Sequence, residues 1–162
     1  MGVEADMEYG SIEREIYVDA SPEVVFEVVS RPEHLREWWP DDAALDDRSP
    51  GSTGELTFGR HGDGASPFVV PLTVVESVPP RLFSFRWAYD PDVAPDQSNS
   101  FLVRLELAPS GAGTTLRLTE TGFREQGWEA AVLEAAYQDH AEGWGRFLPQ
   151  LPEYVARLVS AR

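Results

Sequence analysis

The order of apolar and polar residues predicts a strand and two short helices at the start of the chain. Apolar residues alternate with polar ones from Ile12 to Val18, which indicates a half-buried strand. Pro22 and Pro32 each begin a helix, because proline is favoured at the first helical position. Pro40 ends the second helix, since the residue before a proline disfavours helical backbone.

The middle of the chain carries the two-residue alternation that is typical of strands. The strands begin near Ala43 and are predicted over residues 54–58, 68–78, 82–89, 101–108 and 114–121. A glycine-rich run over residues 59–64 predicts a hairpin loop between the first two of these ranges. Residues 109–113 predict a second hairpin turn between the last two. Pro71 predicts that its strand lies at an edge of the sheet or contains a bulge.

The last third of the chain is predicted to be helical. Apolar residues recur there at spacings of three and four, so one face of the helix packs against the core. Pro149 and Pro152 should interrupt the helix and leave a final segment that ends near Leu158. The apolar face consists of Trp128, Val132, Leu133, Ala136, Tyr137, His140, Trp144, Phe147, Leu148 and Leu151.

These elements together predict a single α+β domain. A chain of 162 residues is the usual size of one domain. We expect a flexible N-terminal segment over residues 1–10 and one domain over residues 11–160. In that domain a curved antiparallel sheet of about six to seven strands wraps around the long C-terminal helix. A sheet that curves more than the helix can fill leaves an elongated cavity, and ligand sites favour such concave apolar spaces.

The composition excludes several classes of chemistry. The chain has no cysteine and no lysine, which removes disulfides, thiolate nucleophiles, cysteine zinc sites and Schiff bases. Its three histidines lack the spacing of a metal site, and no cofactor fingerprint is present, so we expect neither metal nor cofactor. A net charge of −15 argues against nucleic acid and membrane surfaces. With no secretory signal and no run of about 20 apolar residues, we expect a cytoplasmic protein.

Glu120 and His140 are the two candidates for catalytic chemistry. The alternation places Glu120 on the same strand face as Leu116 and Leu118, where its carboxylate would be desolvated. An ion pair with an arginine at the end of the sheet is the alternative. His140 lies on the apolar face of the last helix, one turn before Trp144, and is either a ligand contact or a core histidine. No assembled triad accompanies them, so no catalytic residue is assigned.

Aromatic residues on the predicted inner face are candidates for lining a cavity. Adjacent helical residues point about 100° apart, so of Trp38 and Trp39 one is expected in the core and the other at the entrance. The candidate ligand-binding residues are Trp38, Trp39, Phe83, Phe85, Trp87, Phe101, Glu120, Tyr137, His140 and Trp144.

A combined sequence pattern is carried by residues 16–26, 32–39, 78–87, 115–123 and Gly143-Trp144. On these residues the chain resembles the SRPBCC (START-like, helix-grip) superfamily, and is most similar to the AHSA-like branch related to the activator of the Hsp ATPase. The resemblance extends over residues 11–158. It implies the helix-grip fold, but the superfamily includes lipid carriers, hormone receptors, cyclases, cochaperone domains and antibiotic-sequestering proteins, so it implies no single function.

Three functions are consistent with these features. The leading hypothesis is a non-enzymatic protein that binds a hydrophobic or aromatic small molecule between the sheet and the C-terminal helix. The second is an enzyme of the polyketide cyclase or dehydratase type, in which Glu120 and His140 form an acid–base pair. The third is a cochaperone-like module with a protein partner, which requires an exposed apolar patch. A monomer or a weak homodimer is expected.

Overall fold

The computed structural model describes residues 9–59 and 68–160 and shows an α+β domain. Residues 1–8 of the expected N-terminal segment, and all but Gly59 of the predicted glycine-rich loop, lie outside the described residues. The elements are β1 (Ser11–Val18), α1 (Pro22–Ser30), α2 (Pro32–Trp38), β2 (Asp42–Leu45), β3 (Thr53–Phe58), β4 (Phe68–Val78), β5 (Leu82–Trp87), β6 (Phe101–Ser110), β7 (Gly113–Thr121), α3 (Ala130–Phe147) and α4 (Gln150–Ser160). Their order confirms the predicted fold class.

The strands form one curved antiparallel sheet of seven strands in the order β1-β7-β6-β5-β4-β3-β2. The first strand therefore pairs with the last, and the two short helices connect opposite edges of the sheet. Of the two alternatives predicted for the strand of Pro71, the edge position is wrong, because β4 lies between β3 and β5, whereas β4 does contain a bulge-like irregularity. The irregularity in β4 falls between Val74 and Glu76. The carbonyl of Pro71 accepts a hydrogen bond from the N–H of Ala88.

The helices α1 and α2 are fixed by residues at their ends. The Ser21 side chain accepts a hydrogen bond from the N–H of Val24, as expected of an N-cap. Near the other end, the carbonyl of Val28 has no N–H partner four residues on, because that residue is Pro32. The indole N–H of Trp38 donates to this carbonyl at 3.1 Å instead. One buried tryptophan thus joins the end of α1 to the end of α2.

The C-terminal helix is broken where the sequence predicts. Helix α3 ends before Pro149 and α4 begins after it, whereas Pro152 lies in the first turn of α4, where proline is tolerated. Two residues of the predicted apolar face are exposed: Trp128 (39%) and Val132 (43%). Trp128 precedes the helix, which begins at Ala130. Among residues 9–59 and 68–160, no helix is both long and apolar enough to span a membrane.

Candidate functional site

Glu120 is the buried acid on the inner face of the sheet. It lies on β7, where the register places it between Ile12 of β1 and Val103 of β6, both fully buried. Its own exposed fraction is 0%. The strand alternation that puts Leu116 and Leu118 in the core therefore places a carboxyl group there as well.

Three side-chain N–H groups surround the carboxylate of Glu120. The indole of Trp87 donates to Oε2 and that of Trp144 to Oε1, each at 2.8 Å. Nδ1 of His140 lies 3.0 Å from both oxygens. An indole nitrogen can only donate, so each carboxylate oxygen is used as an acceptor. The hydrogen-bond network then assigns the imidazole proton to Nδ1.

These hydrogen bonds connect the C-terminal helix to the sheet. Trp87 is the last residue of β5, whereas His140 and Trp144 lie one turn apart on α3 and share a helix face. The ring of His140 also packs against Phe101 of β6, with centroids 4.6 Å apart. One buried carboxylate thus fixes the position of the middle of α3 over the central strands.

A pocket of about 490 Å³ lies beside this carboxylate, between α3 and one end of the sheet. Its volume falls within the range of small-molecule sites, roughly 300–1,000 Å³. Phe68, which begins β4 and lines the pocket, is 59% exposed. The lining residues are Trp39, Phe58, Phe68, Val70, Trp87, Ala88, Asp139, His140, Glu142, Gly143, Trp144, Arg146 and Phe147.

Trp39 is the central aromatic side chain of the pocket. Its ring contacts Trp144 of α3 at a centroid distance of 4.9 Å and Trp87 of β5 at 5.1 Å. It also contacts Phe58 of β3 at 5.9 Å, in an edge-to-face arrangement. The neighbouring Trp38 packs in the core and makes no part of the lining. Both tryptophans are buried, Trp38 at 2% and Trp39 at 7% exposed, so the expected position of one of them at the entrance is wrong, and only Trp39 lines the pocket.

The other candidate ligand-binding residues fall into two groups. Trp39, Trp87, His140 and Trp144 line the pocket, with Glu120 buried directly behind them. The remaining candidates lie outside the lining. Phe83 packs against Phe26 of α1, and Phe101 and Tyr137 both pack against Phe123. Those outside the lining are Trp38, Phe83, Phe85, Phe101 and Tyr137.

Several lining residues were not among the candidates. Phe58 and Phe68 end β3 and begin β4, and their rings stack at 5.6 Å. The helix contributes Gly143, where an added Cβ would meet no atom within 4 Å, so the backbone itself borders open space. The signal that could have found Phe58 and Phe68 is their position on the two sides of one predicted hairpin loop.

The rim of the pocket carries charged side chains from α3. Asp139 and Glu142 are acidic, and Arg146 lies with its guanidinium 5.6 Å from the ring centroid of Phe147. Within residues 9–59 and 68–160, no group of three or more histidine, cysteine or acidic side chains could hold a metal ion. The arrangement therefore offers an apolar aromatic space with one inner imidazole and a polar rim.

Comparison with protein families identifies the family of the chain. The family model described as Activator of Hsp90 ATPase homolog 1-like protein matches residues 19–156. This range contains every lining residue of the pocket, together with Glu120. No curated protein sequence matches the chain.

Several solved structures share the fold. Protein NE0264 from Nitrosomonas europaea has a TM-score of 0.72 and 19% identity, over 94% of this chain and 97% of that one. Protein MLL2253 from Mesorhizobium loti has a TM-score of 0.70 and 20% identity, over 91% and 97%. The Aha1 dimer from Colwellia psychrerythraea, solved in solution, has a TM-score of 0.67 and 20% identity, over 88% and 93%. At these identities the likeness shows the fold alone.

Proposed function

Because the chain belongs to the Activator of Hsp90 ATPase homolog 1-like family, we propose that it uses the space between sheet and C-terminal helix to bind a hydrophobic or aromatic small molecule, without transforming it. The observation that carries this proposal is the pocket of about 490 Å³ lined by Trp39, Phe58, Trp87 and Trp144. Aromatic rings offer large apolar area and favourable stacking geometry. Burial of that area supplies the affinity, at roughly 25 cal/mol per Å² before ordering costs.

The burial and hydrogen bonding of Glu120 favour binding over catalysis. The carboxylate is fully buried, and both of its oxygens accept hydrogen bonds from the protein. A substrate in the pocket would therefore meet the imidazole of His140 but not the acid behind it. Glu120 therefore affects a bound molecule only indirectly, because it orients the imidazole of His140.

The experiment is an NMR titration that reads the indole N–H signals of the five tryptophans. Aromatic probes such as 2-methoxynaphthalene, and decanoate as a lipid-like probe, are added to ¹⁵N-labelled protein. The signals of Trp39, Trp87 and Trp144 should shift, because these residues line the pocket. Those of Trp38 and Trp128, which lie outside the lining, should stay in place.

Two glycines of α3 provide a matched pair of variants. At both Gly143 and Gly145 an added Cβ meets no atom within 4 Å, but only Gly143 lines the pocket. Gly143→Leu should fill the pocket and abolish the shifts, whereas Gly145→Leu should bind like the wild type. Binding that survives Gly143→Leu unchanged, or no shift with any probe, would refute the proposal.

A dehydratase or cyclase is the second candidate, and the 3.0 Å contact between Glu120 and His140 favours it. In that case Nε2 of His140 takes a proton from the carbon next to a ketone and returns it to the β-hydroxyl group, which leaves as water while a carbon–carbon double bond forms. The test is to incubate the protein with an aromatic β-hydroxy ketone and to follow the loss of one water by mass spectrometry. Turnover that disappears in His140→Phe would support the enzyme, and conversion at the rate without protein would argue against it.

A further inference from the structure

We infer that the pocket selects aromatic molecules that carry a hydrogen-bond donor, such as a phenolic hydroxyl group, and that this group donates to Nε2 of His140. The inference rests on the proposed function and adds the chemical class of the ligand. It starts from the contact of Nδ1 with both oxygens of Glu120 at 3.0 Å.

The partners of Glu120 determine which nitrogen of His140 carries the proton. The indoles of Trp87 and Trp144 already donate one N–H to each oxygen, which suits a carboxylate that accepts and does not donate. A proton on Nδ1 completes this arrangement with a third donor. With this proton on Nδ1, an imidazole that carries no second proton presents Nε2 as an acceptor.

Nε2 is the imidazole nitrogen that the contact with Glu120 leaves available to a ligand. The side chain of His140 is 16% exposed and lines the pocket. Hydrogen bonds within the described part of the chain involve Nδ1 of this residue and not Nε2. In the same residues no buried side-chain nitrogen lacks a partner, so Nε2 is reached by solvent rather than sealed in the core.

The surroundings of Nε2 favour a neutral donor over an anion. The inner lining near His140 consists of Trp39, Trp87 and Trp144, which are apolar apart from their indole N–H groups. The rim carries the carboxylates of Asp139 and Glu142 and one guanidinium, and the chain has a net charge of −15. A hydroxyl on a planar ring can contact the tryptophans and donate inward, whereas an anionic ligand meets like charge at the rim.

The experiment compares 2-naphthol with 2-methoxynaphthalene, which share a ring system and differ in the hydroxyl hydrogen. If burial alone set the affinity, the ether would bind more tightly because it has one more methyl group. We expect the opposite order, with 2-naphthol bound about 3- to 10-fold more tightly through one added hydrogen bond. 2-Naphthoate, the anionic probe, should bind more weakly than 2-naphthol.

Two variants test the role of His140 and of its buried partner. His140→Phe keeps a ring but removes the acceptor, so the preference for 2-naphthol should disappear while the ether still binds. Glu120→Gln removes the charge and one of the two acceptor oxygens, so the proton on Nδ1 is held less firmly and the preference for 2-naphthol should weaken. Long-range ¹H–¹⁵N spectra of the histidine rings read the tautomer directly, independently of any ligand.

The outcomes separate the two proposals. Tighter binding of 2-naphthol, together with a wild-type His140 protonated at Nδ1, would support the inference. Equal binding of both naphthalenes, tighter binding of the ether, or a proton on Nε2 in the wild type overturns the inference and leaves the proposed function standing. If no naphthalene shifts the signals of Trp39, Trp87 or Trp144, the proposed function fails and the inference fails with it.

Discussion

Nδ1 of His140 lies 3.0 Å from both carboxylate oxygens of Glu120, across the boundary between the C-terminal helix and the sheet. The helix therefore contacts the sheet here through a polar group inside an aromatic layer. Buried polar groups of this kind stabilise a structure only while every member is paired. The same contact orients the imidazole of His140, which lines the pocket, so under the proposed function both stability and ligand recognition depend on one carboxylate.

Glu120→Ala should destabilise the protein severely. It leaves the N–H groups of Trp87, Trp144 and His140 without their acceptor in a buried site, and the free energy of unfolding should fall by about 3–5 kcal/mol. Urea denaturation at pH 7 measures the change. Glu55→Ala, at an exposed position of β3, is the control and should stay within about 0.5 kcal/mol of the wild type. A loss below 1 kcal/mol for Glu120→Ala would show that water replaces the carboxylate.

Trp38→Phe and Trp39→Phe should have different effects although the residues are adjacent. Trp38→Phe leaves the buried carbonyl of Val28 without a donor, because Pro32 supplies none, and should cost about 2–3 kcal/mol of stability. Its affinity for 2-methoxynaphthalene should stay within about twofold of the wild type. Trp39→Phe should weaken that affinity, since Trp39 lines the pocket. Equal losses of affinity in both variants would contradict the separation of core from pocket.

The fold could be predicted because the sequence patterns that indicate its helices and strands are local. Prolines at the helix starts, the two-residue alternation of the strands and the helical spacing of the last third each act within a few residues. Glu120 could be placed on the inner face for the same reason, since alternation alone puts it beside Leu118. The break at Pro149 also follows from a single residue.

The lining of the pocket was less predictable because it depends on how far along its strand each inward-facing residue lies. Phe83, Phe85 and Trp87 share one face of β5, and alternation cannot distinguish them. The structure places the Phe26 ring of α1 6.1 Å from Phe83, whereas Trp87 lies at the strand end, where α3 passes over it. Which residue meets the pocket is therefore decided by long-range packing of helices on the sheet.

Glycine-to-alanine substitutions should change the stability in opposite directions in helix α3 and in strand β3. Gly143→Ala and Gly145→Ala should each stabilise the protein by about 0.5–1 kcal/mol, because alanine is the better helix former and the new Cβ meets no atom within 4 Å. Gly54→Ala should destabilise it, since the Cβ would clash with the backbone carbonyl of Ala44 on the paired strand. Thermal denaturation shows directly whether each variant is more or less stable than the wild type. A stabilised Gly54→Ala would mean that β2 can move away from β3.

Glu27 on α1 is the acid whose ion pairs fix the segment after β2. Its carboxylate accepts from Nε of Arg31 at 2.6 Å and also from the guanidinium of Arg48. Partial burial raises the pKa of Glu27, but the hydrogen bonds and charges of the two arginines more than offset this, so its pKa lies below the usual value. The ion pair therefore stabilises the fold when the carboxylate is charged.

Glu27→Gln should therefore destabilise the protein in a pH-dependent way. A carboxylate with a lowered pKa contributes its full stability above the unfolded value, about 4.3, and that contribution is lost as the pH falls through the lower folded value. The side chain is 39% exposed, so solvent screening limits the effect to about 0.5–1 kcal/mol at pH 7.

Urea denaturation of the wild type and of Glu27→Gln from pH 7 to pH 3 should show their difference in unfolding free energy shrinking below about pH 4.3. Glu55 is an exposed acid on β3, and the unfolding free energy of Glu55→Gln should equal that of the wild type over the whole pH range. A difference that stays constant with pH would show that Glu27 contributes through packing alone.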